Sequence, residues 1–303
     1  MNKRKKNQPN TMKNNFAYLL LFLIIFAGCK EEDSSSCYSN TDARPIVHDN
    51  IEREYILFIP NSYDPASPTP MVFNFHGFGG SAEAYMMEAD LRSEAEANDF
   101  ILVYPQGSCL DGASHWNACP LGADNKSTAD DFGFIETMIS EISSEYNVDA
   151  NRIYAAGYSN GGMMAYGLAN YRSSLIAAVA SISGTMLDCI GPTNHPMPVI
   201  HLHGTSDGVI PYNGGNEFNS TQNVLDHWIS FNNTNTTPTI TSYSNGGRTI
   251  EHYLYNQGDS NVAVEHYKYI GGDHIWFNWD YEGMTTSQLV WDFLSKYDLN
   301  GLR

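Results

Sequence analysis

Residues 152–166 read RIYAAGYSNGGMMAY, and this stretch decides the fold prediction. A β-rich run over 152–156 passes directly into the turn Gly-Tyr-Ser-Asn-Gly and then into a helical run over 160–171. The glycines two residues before and two residues after Ser159 allow neighbouring backbone to crowd a sharp turn, which exposes the serine hydroxyl at the end of a strand. The N-terminus of the following helix favours negative charge there. The stretch therefore predicts that Ser159 is a nucleophile.

Other β-rich and helical runs alternate on both sides of this turn. The pattern predicts strands over 55–59, 71–75, 100–104, 152–156, 177–182, 199–203 and 264–270, and its clearest helices cover 131–146 and 285–297. Such alternation is typical of an α/β fold, a mostly parallel sheet with helices on both faces. We expect one domain over 51–303. Only about fourteen residues separate the strands that end near Ser183 and begin near Pro198, so we expect no lid domain.

A serine hydroxyl needs a base and an orienting acid to act as a nucleophile at neutral pH. Asp207 follows the strand 199–203 in HGTSDGVIPY, and His274 follows the strand 264–270 in GGDHIW. The chain order Ser159, Asp207, His274 is that of an α/β-hydrolase triad. Asp273 is an alternative acid, but a residue next to His274 in sequence reaches its neighbour's imidazole poorly.

The segment HGFGG at 76–80 follows a predicted strand and supplies a second part of the expected site. A turn of this kind aims backbone N–H groups at a developing oxyanion. We assign one oxyanion-hole donor to Phe78 and the other to Asn160, the residue after the nucleophile.

Trp116 and Trp276 lie in predicted loops at the same end of the sheet. Each is either a packing residue or a wall of the acyl or alcohol pocket, and we predict substrate binding for both. His201 and His203 form an alternating His-Leu-His in a strand; without a third ligand nearby we interpret them as core and rim residues, and we predict no metal.

The first residues have the features of an export signal. Several Lys and Arg residues precede an apolar run over 16–26 that is too short to span a bilayer. Phe26-Ala27-Gly28-Cys29 resembles a bacterial lipobox, in which Cys29 becomes the lipidated first residue. We therefore predict a lipoprotein signal peptide over 1–28 and a flexible tether with an N-terminal segment over 29–50. The expected location is the outer membrane, attached by the lipid and facing either the periplasm or the cell surface.

The mature chain is strongly acidic. Five of the 16 Lys and Arg residues precede Cys29, so the net charge against 34 Asp and Glu residues becomes (16 − 5) − 34 = −23. An acidic surface of this size disfavours nucleic acid and anionic lipid as partners, so we expect no nucleic-acid partner.

Four cysteines follow Cys29, and an even number in an exported chain predicts two disulfides. Three pairings are possible. Our first choice pairs Cys109 with Cys119 and Cys37 with Cys189.

Several blocks together resemble the polyhydroxybutyrate-depolymerase-like and feruloyl-esterase-like carbohydrate esterases over residues 53–297. The matching stretches are NFHGFGGSAEAYM, FILVYPQG, HWN, DDFGFIETMI, RIYAAGYSNGGMMAY, PVIHLHGTSDGVIPYNGG and GGDHIWFNW. The resemblance implies an esterase that uses no metal or organic cofactor, with Ser159, Asp207 and His274 in the roles given above. Such proteins often have Gly-Gly-Gly-His-Thr-Trp-Pro where this chain has Gly-Gly-Asp-His-Ile-Trp-Phe, so Asp273 and Phe277 alter the rim of the site.

We predict an exported serine carboxylesterase that removes feruloyl or acetyl groups from extracellular polysaccharide or oligosaccharide. The alternatives are a depolymerase or oligomer hydrolase for polyhydroxyalkanoates, a serine peptidase, and a glycan-binding surface lipoprotein on a hydrolase fold. A non-catalytic protein of this fold is expected to lack a triad member, and none is missing here.

Overall fold

The computed structural model describes Cys37 and residues 42–123, 125–215 and 217–303. Its main sheet has ten strands in the order β1-β2-β4-β3-β7-β8-β9-β12-β11-β10. These strands are β1 (Arg44–His48), β2 (Ile51–Phe58), β3 (Thr69–Phe75), β4 (Ile101–Pro105), β7 (Val148–Tyr158), β8 (Ala178–Ile182), β9 (Val199–Gly204), β10 (Thr239–Asn245), β11 (Arg248–Tyr255) and β12 (Val264–Ile270). Two short pairs lie outside it, β5 (Ser108–Leu110) with β6 (Ala113–His115) and β13 (Tyr297–Asp298) with β14 (Gly301–Leu302).

Helices cover both faces of the sheet, which confirms the predicted α/β class. They are α1 (Ala82–Glu88), α2 (Arg92–Asn98), α3 (Asp131–Glu145), α4 (Asn160–Tyr171), α5 (Thr221–Phe231) and α6 (Thr286–Leu294). Helices α3, α4 and α5 contribute to one apolar cluster and α1, α2 and α6 to the other. Successive residues of a strand point to opposite faces; accordingly Phe73 belongs to the first cluster and Val72 to the second.

The centre of the sheet is parallel and its margins are antiparallel. Strands β4, β3, β7, β8, β9 and β12 pair in parallel, whereas β1 and β2 flank one side and β11 and β10 the other in antiparallel pairs. The carboxyl ends of parallel strands meet at one edge, where ligands bind in open α/β sheets. HGFGG, Ser159, Asp207 and His274 follow β3, β7, β9 and β12, so all four segments lie at that edge.

The connection between β8 and β9 contains no helix or strand over residues 183–198. This short segment matches the expectation of a fold without a lid domain. In the described ranges, no helix is long and apolar enough to cross a membrane.

The main sheet includes residues that precede the predicted boundary at residue 51. Arg44–His48 form β1, which pairs with β2 at the margin of the main sheet. β1 has no continuous apolar run in the sequence, because it is a short margin strand in which Val47 is exposed. The predicted signal over 1–28 and Cys29 lie outside the described residues.

The four cysteines pair differently from our first choice. The structure joins Cys37 to Cys109, with Cα atoms 5.6 Å apart, and Cys119 to Cys189, with Cα atoms 5.8 Å apart. Cys109 belongs to the β5–β6 hairpin, where it lies opposite Ser114. The first disulfide thus links the hairpin to the N-terminal segment. The second links the chain after the hairpin to the segment between β8 and β9. The prediction that Cys109 pairs with Cys119 is wrong because proximity in sequence does not place their side chains together.

Candidate active site

Ser159 lies on a strained turn between β7 and α4. Its backbone has φ 55° and ψ −120°, an uncommon conformation for a residue with a side chain. The two flanking glycines permit it: a Cβ atom on Gly157 would clash with the carbonyl oxygen of Gly161, and a Cβ atom on Gly161 would clash with that of Phe75. The turn therefore needs glycine at both positions, as the sequence pattern indicated.

The structure brings the three predicted triad side chains together. His274 Nε2 lies 2.9 Å from Ser159 Oγ, and His274 Nδ1 lies 2.7 Å from Asp207 Oδ2. These are hydrogen-bond distances. An imidazole that donates from Nδ1 to a carboxylate presents an unprotonated Nε2 to the serine hydroxyl, which is the arrangement a general base requires.

Asp207 is surrounded by hydrogen-bond donors. Its Oδ1 accepts from the backbone N–H groups of Val209 and Ile210 at 2.9 and 2.8 Å. Its Oδ2 faces His274 and also lies 3.2 Å from His203 Nε2. Burial by itself raises the pKa of the Asp207 carboxyl, but the bonds from His203, His274 and the Ile210 N–H outweigh it and hold the pKa well below its usual range. The carboxylate therefore stays ionised across the neutral and mildly acidic range.

The loop that carries His274 is held by side chains from neighbouring strands. The Tyr158 hydroxyl donates to the His274 carbonyl at 2.8 Å, and the Ser183 hydroxyl donates to the Ile275 carbonyl at 3.0 Å. Asp273 accepts from the backbone N–H of His274, so it braces the loop while Asp207 faces the ring. The sequence analysis missed Tyr158 and Ser183; their positions at the ends of β7 and β8 were the available signal.

Both predicted oxyanion-hole amides are free to bind a substrate oxygen. Within the described part of the chain, the N–H groups of Phe78 and Asn160 donate no hydrogen bond. Asn160 is the first residue of α4, where N–H groups have no acceptor inside the helix. The assignment of these two donors remains a prediction.

The HGFGG turn is fixed by His76 and by the β5–β6 hairpin. His76 accepts from the Gly107 N–H at 2.9 Å and donates from Nδ1 to the Gly77 carbonyl at 2.7 Å. Burial lowers the pKa of His76 to about 4, so the ring is neutral near pH 7. The Gly79 N–H donates to the Ser114 carbonyl at 2.7 Å. These bonds orient the turn beside Ser159.

Trp116 supports the two segments that carry the proposed oxyanion-hole donors, Phe78 and Asn160. It is only 1% exposed and offers almost no surface to a substrate in this structure, so direct substrate binding by Trp116 stays a prediction. Its indole N–H donates to the His76 carbonyl at 3.0 Å, and its backbone exchanges two hydrogen bonds with the Asn160 side chain, at 2.8 and 3.1 Å. One buried residue therefore holds both chain segments that carry the proposed donors. Its large apolar ring, packed edge-on against Phe75, accounts for the burial.

Trp276 keeps a small exposed surface of 9% beside the His274 loop. Its ring packs edge-on against Tyr85, with centroids 6.0 Å apart. Its contact with substrate remains a prediction.

The imidazoles of His201 and His203 are buried and hydrogen-bonded to each other, with Nε2 of His201 3.2 Å from Nδ1 of His203. Elsewhere in the described chain, the ligand atoms of His48, Asp49 and Asp130 lie within 4.8 Å of one another. These residues do not touch Ser159, Asp207 or His274 in any described contact. Distances of 3.6 and 3.7 Å from His48 Nε2 to the two carboxylates also suit an ion pair, so we assign no metal.

A second pocket lies at the same edge of the sheet. It is lined by Tyr243, Asn245, Gly246, Arg248, Ile250, Trp279 and Asp280, and we call it the Trp279 pocket. Strand β11 begins where β12 ends, because Thr249 pairs with Ile270, and Tyr269 in turn pairs with Gly204 of β9. The start of β11 at the pocket is therefore two strand spacings, roughly 10 Å, from the end of β9, the strand that precedes Asp207.

The Trp279 pocket combines an aromatic ring with polar groups. The Arg248 guanidinium lies 4.9 Å from the centre of the Trp279 ring, and that ring packs edge-on against Tyr269. Arg248 forms no ion pair with the residues that the structure describes. Its guanidinium is available to a ligand.

The chain is similar in sequence to known proteins. Residues 57–239, more than half of the chain, match the model of the phospholipase/carboxylesterase family. A bifunctional acetylxylan esterase/xylanase from Neocallimastix patriciarum is 26% identical over 249 residues, or 82% of this chain and 34% of that protein. A probable feruloyl esterase C from Aspergillus niger is 29% identical over 67% of this chain and 72% of its own. This chain thus spans about a third of the first relative and most of the second.

Solved structures share the fold at low sequence identity. An acetyl xylan esterase from Aspergillus awamori superposes with a TM-score of 0.55 at 17% identity, covering 73% of this chain and 89% of that one. Esterase 2 of Thermogutta terrifontis superposes with a TM-score of 0.52 at 16% identity, covering 84% and 91%. Both likenesses concern the fold.

Proposed function

Since this chain belongs to the phospholipase/carboxylesterase family, we propose that it is a serine carboxylesterase that removes acyl groups of the feruloyl or acetyl type from polysaccharide or oligosaccharide. Carboxylic ester hydrolysis is the reaction of its named esterase relatives. The observation that carries the proposal for this chain is the hydrogen-bonded series from Ser159 through His274 to Asp207.

In the proposed reaction, Ser159 Oγ attacks the acyl carbonyl carbon while His274 Nε2 takes the hydroxyl proton. Asp207 stabilises the imidazolium and keeps the ring in its orientation. The carbonyl oxygen becomes an oxyanion that accepts from the N–H groups of Phe78 and Asn160. His274 then returns the proton to the departing alcohol oxygen, and the C–O bond breaks to leave an acyl-enzyme. A water molecule then attacks the acyl carbon while His274 takes its proton. The bond from the acyl carbon to Ser159 Oγ breaks, His274 passes the proton to Oγ, and the acid leaves.

Two features support a carbohydrate ester as the substrate. The β8–β9 connection is short and carries no helix or strand, so a bulky chain can approach Ser159. The Trp279 pocket offers an indole ring, a guanidinium and the side chain of Asn245, and such groups stack on sugar rings and hydrogen-bond to sugar hydroxyls. The names of the relatives mention acetylxylan and feruloyl esters, and we extend these substrate classes to this chain.

We further propose that the protein works outside the cytoplasm, attached to the outer membrane through lipid on Cys29. The two disulfides support an oxidising compartment. The lipobox-like sequence supports the anchor. Expression in a diderm bacterium tests it: the wild type is expected to partition into detergent, and Cys29→Ala to lose its lipid. Unlipidated wild-type protein with a different N-terminus would contradict this part of the proposal.

A substrate panel tests the proposed reaction. The purified protein is assayed on p-nitrophenyl acetate, methyl ferulate, acetylated xylan oligosaccharides and a hydroxybutyrate trimer. We expect kcat/KM for methyl ferulate or the acetylated oligosaccharide to exceed that for the trimer by about tenfold or more. Trp276→Ala is expected to narrow the difference. Faster hydrolysis of the trimer than of every other ester would establish the polyester alternative.

A further inference from the structure

A row of buried polar side chains extends from the core to Asp207. The Tyr166 hydroxyl lies 2.8 Å from His201 Nδ1, and His201 Nε2 lies 3.2 Å from His203 Nδ1. His203 Nε2 lies 2.9 Å from the Ile210 carbonyl oxygen and 3.2 Å from Asp207 Oδ2. Tyr166, His201 and His203 are each at most 1% exposed, so no solvent competes for these contacts.

The acceptors at the Asp207 end determine which His203 nitrogen carries a hydrogen. His203 Nε2 faces two oxygen atoms that can only accept, so this nitrogen carries the hydrogen. In a neutral ring His203 Nδ1 must then accept, and its donor is the Nε2–H of His201. His201 Nδ1 in turn accepts from the Tyr166 hydroxyl. Burial, with smaller contributions from His203 and His266, lowers the pKa of His201 well below its ordinary value, so this ring is neutral.

We propose that His203 is a positioning residue for the reaction. The Nε2–H of His203 points to the loop that carries Asp207, where it lies within reach of both the Ile210 carbonyl and the Asp207 carboxylate. His201 and Tyr166 keep the His203 ring in that tautomer. His203 does not touch the substrate; it acts through Asp207. This inference rests on the proposed function, because it assigns a role within the same site.

The effect of His203 follows from the sharing of one oxygen atom. Asp207 Oδ2 faces both His274 Nδ1 and His203 Nε2. If the second donor is removed, the charge on Oδ2 stays fully available to His274, and only His274 and the two N–H groups bound to Oδ1 still fix the orientation of the carboxylate. The Asp207 charge then stabilises the protonated form of His274 more strongly. The low-pH side of the activity profile, its acid limb, therefore moves to higher pH.

The other ionisable groups near this pair are few among the described residues. Tyr158 bonds to the backbone of His274, and Asp273 accepts from the His274 N–H. Tyr212 packs edge-on against His203, and His266 donates to the His201 carbonyl. None of these four groups contacts the Asp207 carboxylate in the described contacts, so His203 is the group whose removal changes its environment directly.

The test compares His203→Asn with His203→Gln. The Gln amide reaches the position of Nε2, whereas the Asn amide stops near Nδ1 and leaves the contact with Asp207 empty. For His203→Asn we expect kcat on p-nitrophenyl acetate to fall about tenfold, KM to change less than about twofold, and the acid limb of kcat/KM to move up by about half a pH unit. His203→Gln is expected to restore most of kcat and the wild-type profile.

His266→Asn is the matched control. It removes another buried imidazole from the same region without touching Asp207, so we expect lower unfolding stability and an unchanged acid limb. Folded His203→Asn with wild-type kcat and profile would overturn the inference. Equal losses in the Asn and Gln variants, with no shift of the limb, would also overturn it, because that result indicates packing alone.

A second readout separates this inference from the proposed substrate. A fluorophosphonate forms a P–O bond with Ser159 and loses its P–F bond, fluoride leaves, and the hydroxyl proton passes to His274. The labelling rate against pH therefore reports on His274 without any ester turnover. If wild-type protein is labelled but hydrolyses no ester in the panel, the proposed function fails. The labelling profiles of the two His203 variants still decide the inference. We expect the labelling rate of His203→Asn to shift to higher pH by about half a unit, and that of His203→Gln to follow the wild type.

Discussion

His274 Nε2 lies 2.9 Å from Ser159 Oγ although 115 positions separate the two residues in the chain. The contact arises because β7 and β12 end at the same edge of one sheet. We expect Ser159→Ala to reduce ester turnover by roughly a thousandfold or more, the usual scale for the loss of a serine nucleophile, while the fold stays intact. Steady-state kinetics with circular dichroism measure both effects. Ser206→Ala, an exposed serine one residue before Asp207, is the control, and substantial activity in Ser159→Ala would refute the assignment.

Trp116→Phe tests whether this residue supports the two segments that carry Phe78 and Asn160. The phenyl ring keeps most of the packing but loses the indole N–H that donates to the His76 carbonyl. We expect a destabilisation of about 1–2 kcal/mol and about a tenfold fall in kcat with KM nearly unchanged. Urea unfolding and steady-state kinetics provide these values.

Trp228→Phe is the matched control for that experiment. Trp228 is equally buried, and its indole N–H has no partner among the described residues. Its replacement is expected to leave kcat unchanged. A rise in KM for Trp116→Phe without a fall in kcat would instead support a direct contact between Trp116 and the substrate.

Arg248→Ala tests the Trp279 pocket as a sugar site. Because Arg248 pairs with no carboxylate in the described chain and lies over the Trp279 ring, its loss should weaken binding of a long substrate. We expect KM for an acetylated oligosaccharide to rise about threefold to tenfold, with p-nitrophenyl acetate unaffected. Arg172→Ala is the control, because Arg172 also lies over an aromatic ring but is paired with Glu136. Equal KM values for the oligosaccharide in both variants would argue against the site.

The stability of the protein should depend on His76. Burial lowers its pKa from about 6.5 to about 4, so between these pH values the unfolded chain binds a proton that the folded protein does not. Stability contributed by the neutral ring is present above pH 6.5, declines as pH falls, and is lost below about 4, with a slope near 1 kcal/mol per pH unit around pH 5. Urea unfolding from pH 7 to pH 4.5 measures the slope. His76→Gln is expected to lower the slope by this amount, whereas His201 and His266, whose pKa burial also lowers, keep their own contributions. Parallel curves for the variant and the wild type would show that His76 does not contribute.

The disulfide pairing gives a chemical test. Peptide mapping without reduction is expected to recover Cys37 with Cys109 and Cys119 with Cys189. Because Cys119 and Cys189 are 70 residues apart, replacing both with Ser should lower the free energy of unfolding by about 4 kcal/mol on the loop-entropy estimate. Recovery of a peptide linking Cys109 to Cys119 would support the pairing that we first expected from sequence.

Local patterns in the sequence determined the fold class and the positions of the expected site residues. Each predicted strand is present, and helix α4 has its predicted bounds, Asn160–Tyr171. The reason is physical: strand and helix periodicity and glycine at a strained turn depend on neighbouring residues, and parallel strands bring their carboxyl ends to one edge. The order of Ser159, Asp207 and His274 along the chain was therefore sufficient to predict their meeting.

Other properties were decided only by the tertiary structure, because they depend on contacts between distant segments. From the sequence, Trp116 is an aromatic loop residue of the kind that lines a pocket. In the fold, its indole donates to the His76 carbonyl and the side chain is buried. The disulfides follow the loops that meet in space, and Cys109 therefore pairs with Cys37. The His-Leu-His of β9 indicated core and rim positions for His201 and His203, yet the contact of His203 with Asp207 required the loop after β9 to turn back on the strand. Sequence periodicity specifies the face on which a side chain lies, and packing between segments specifies what it touches.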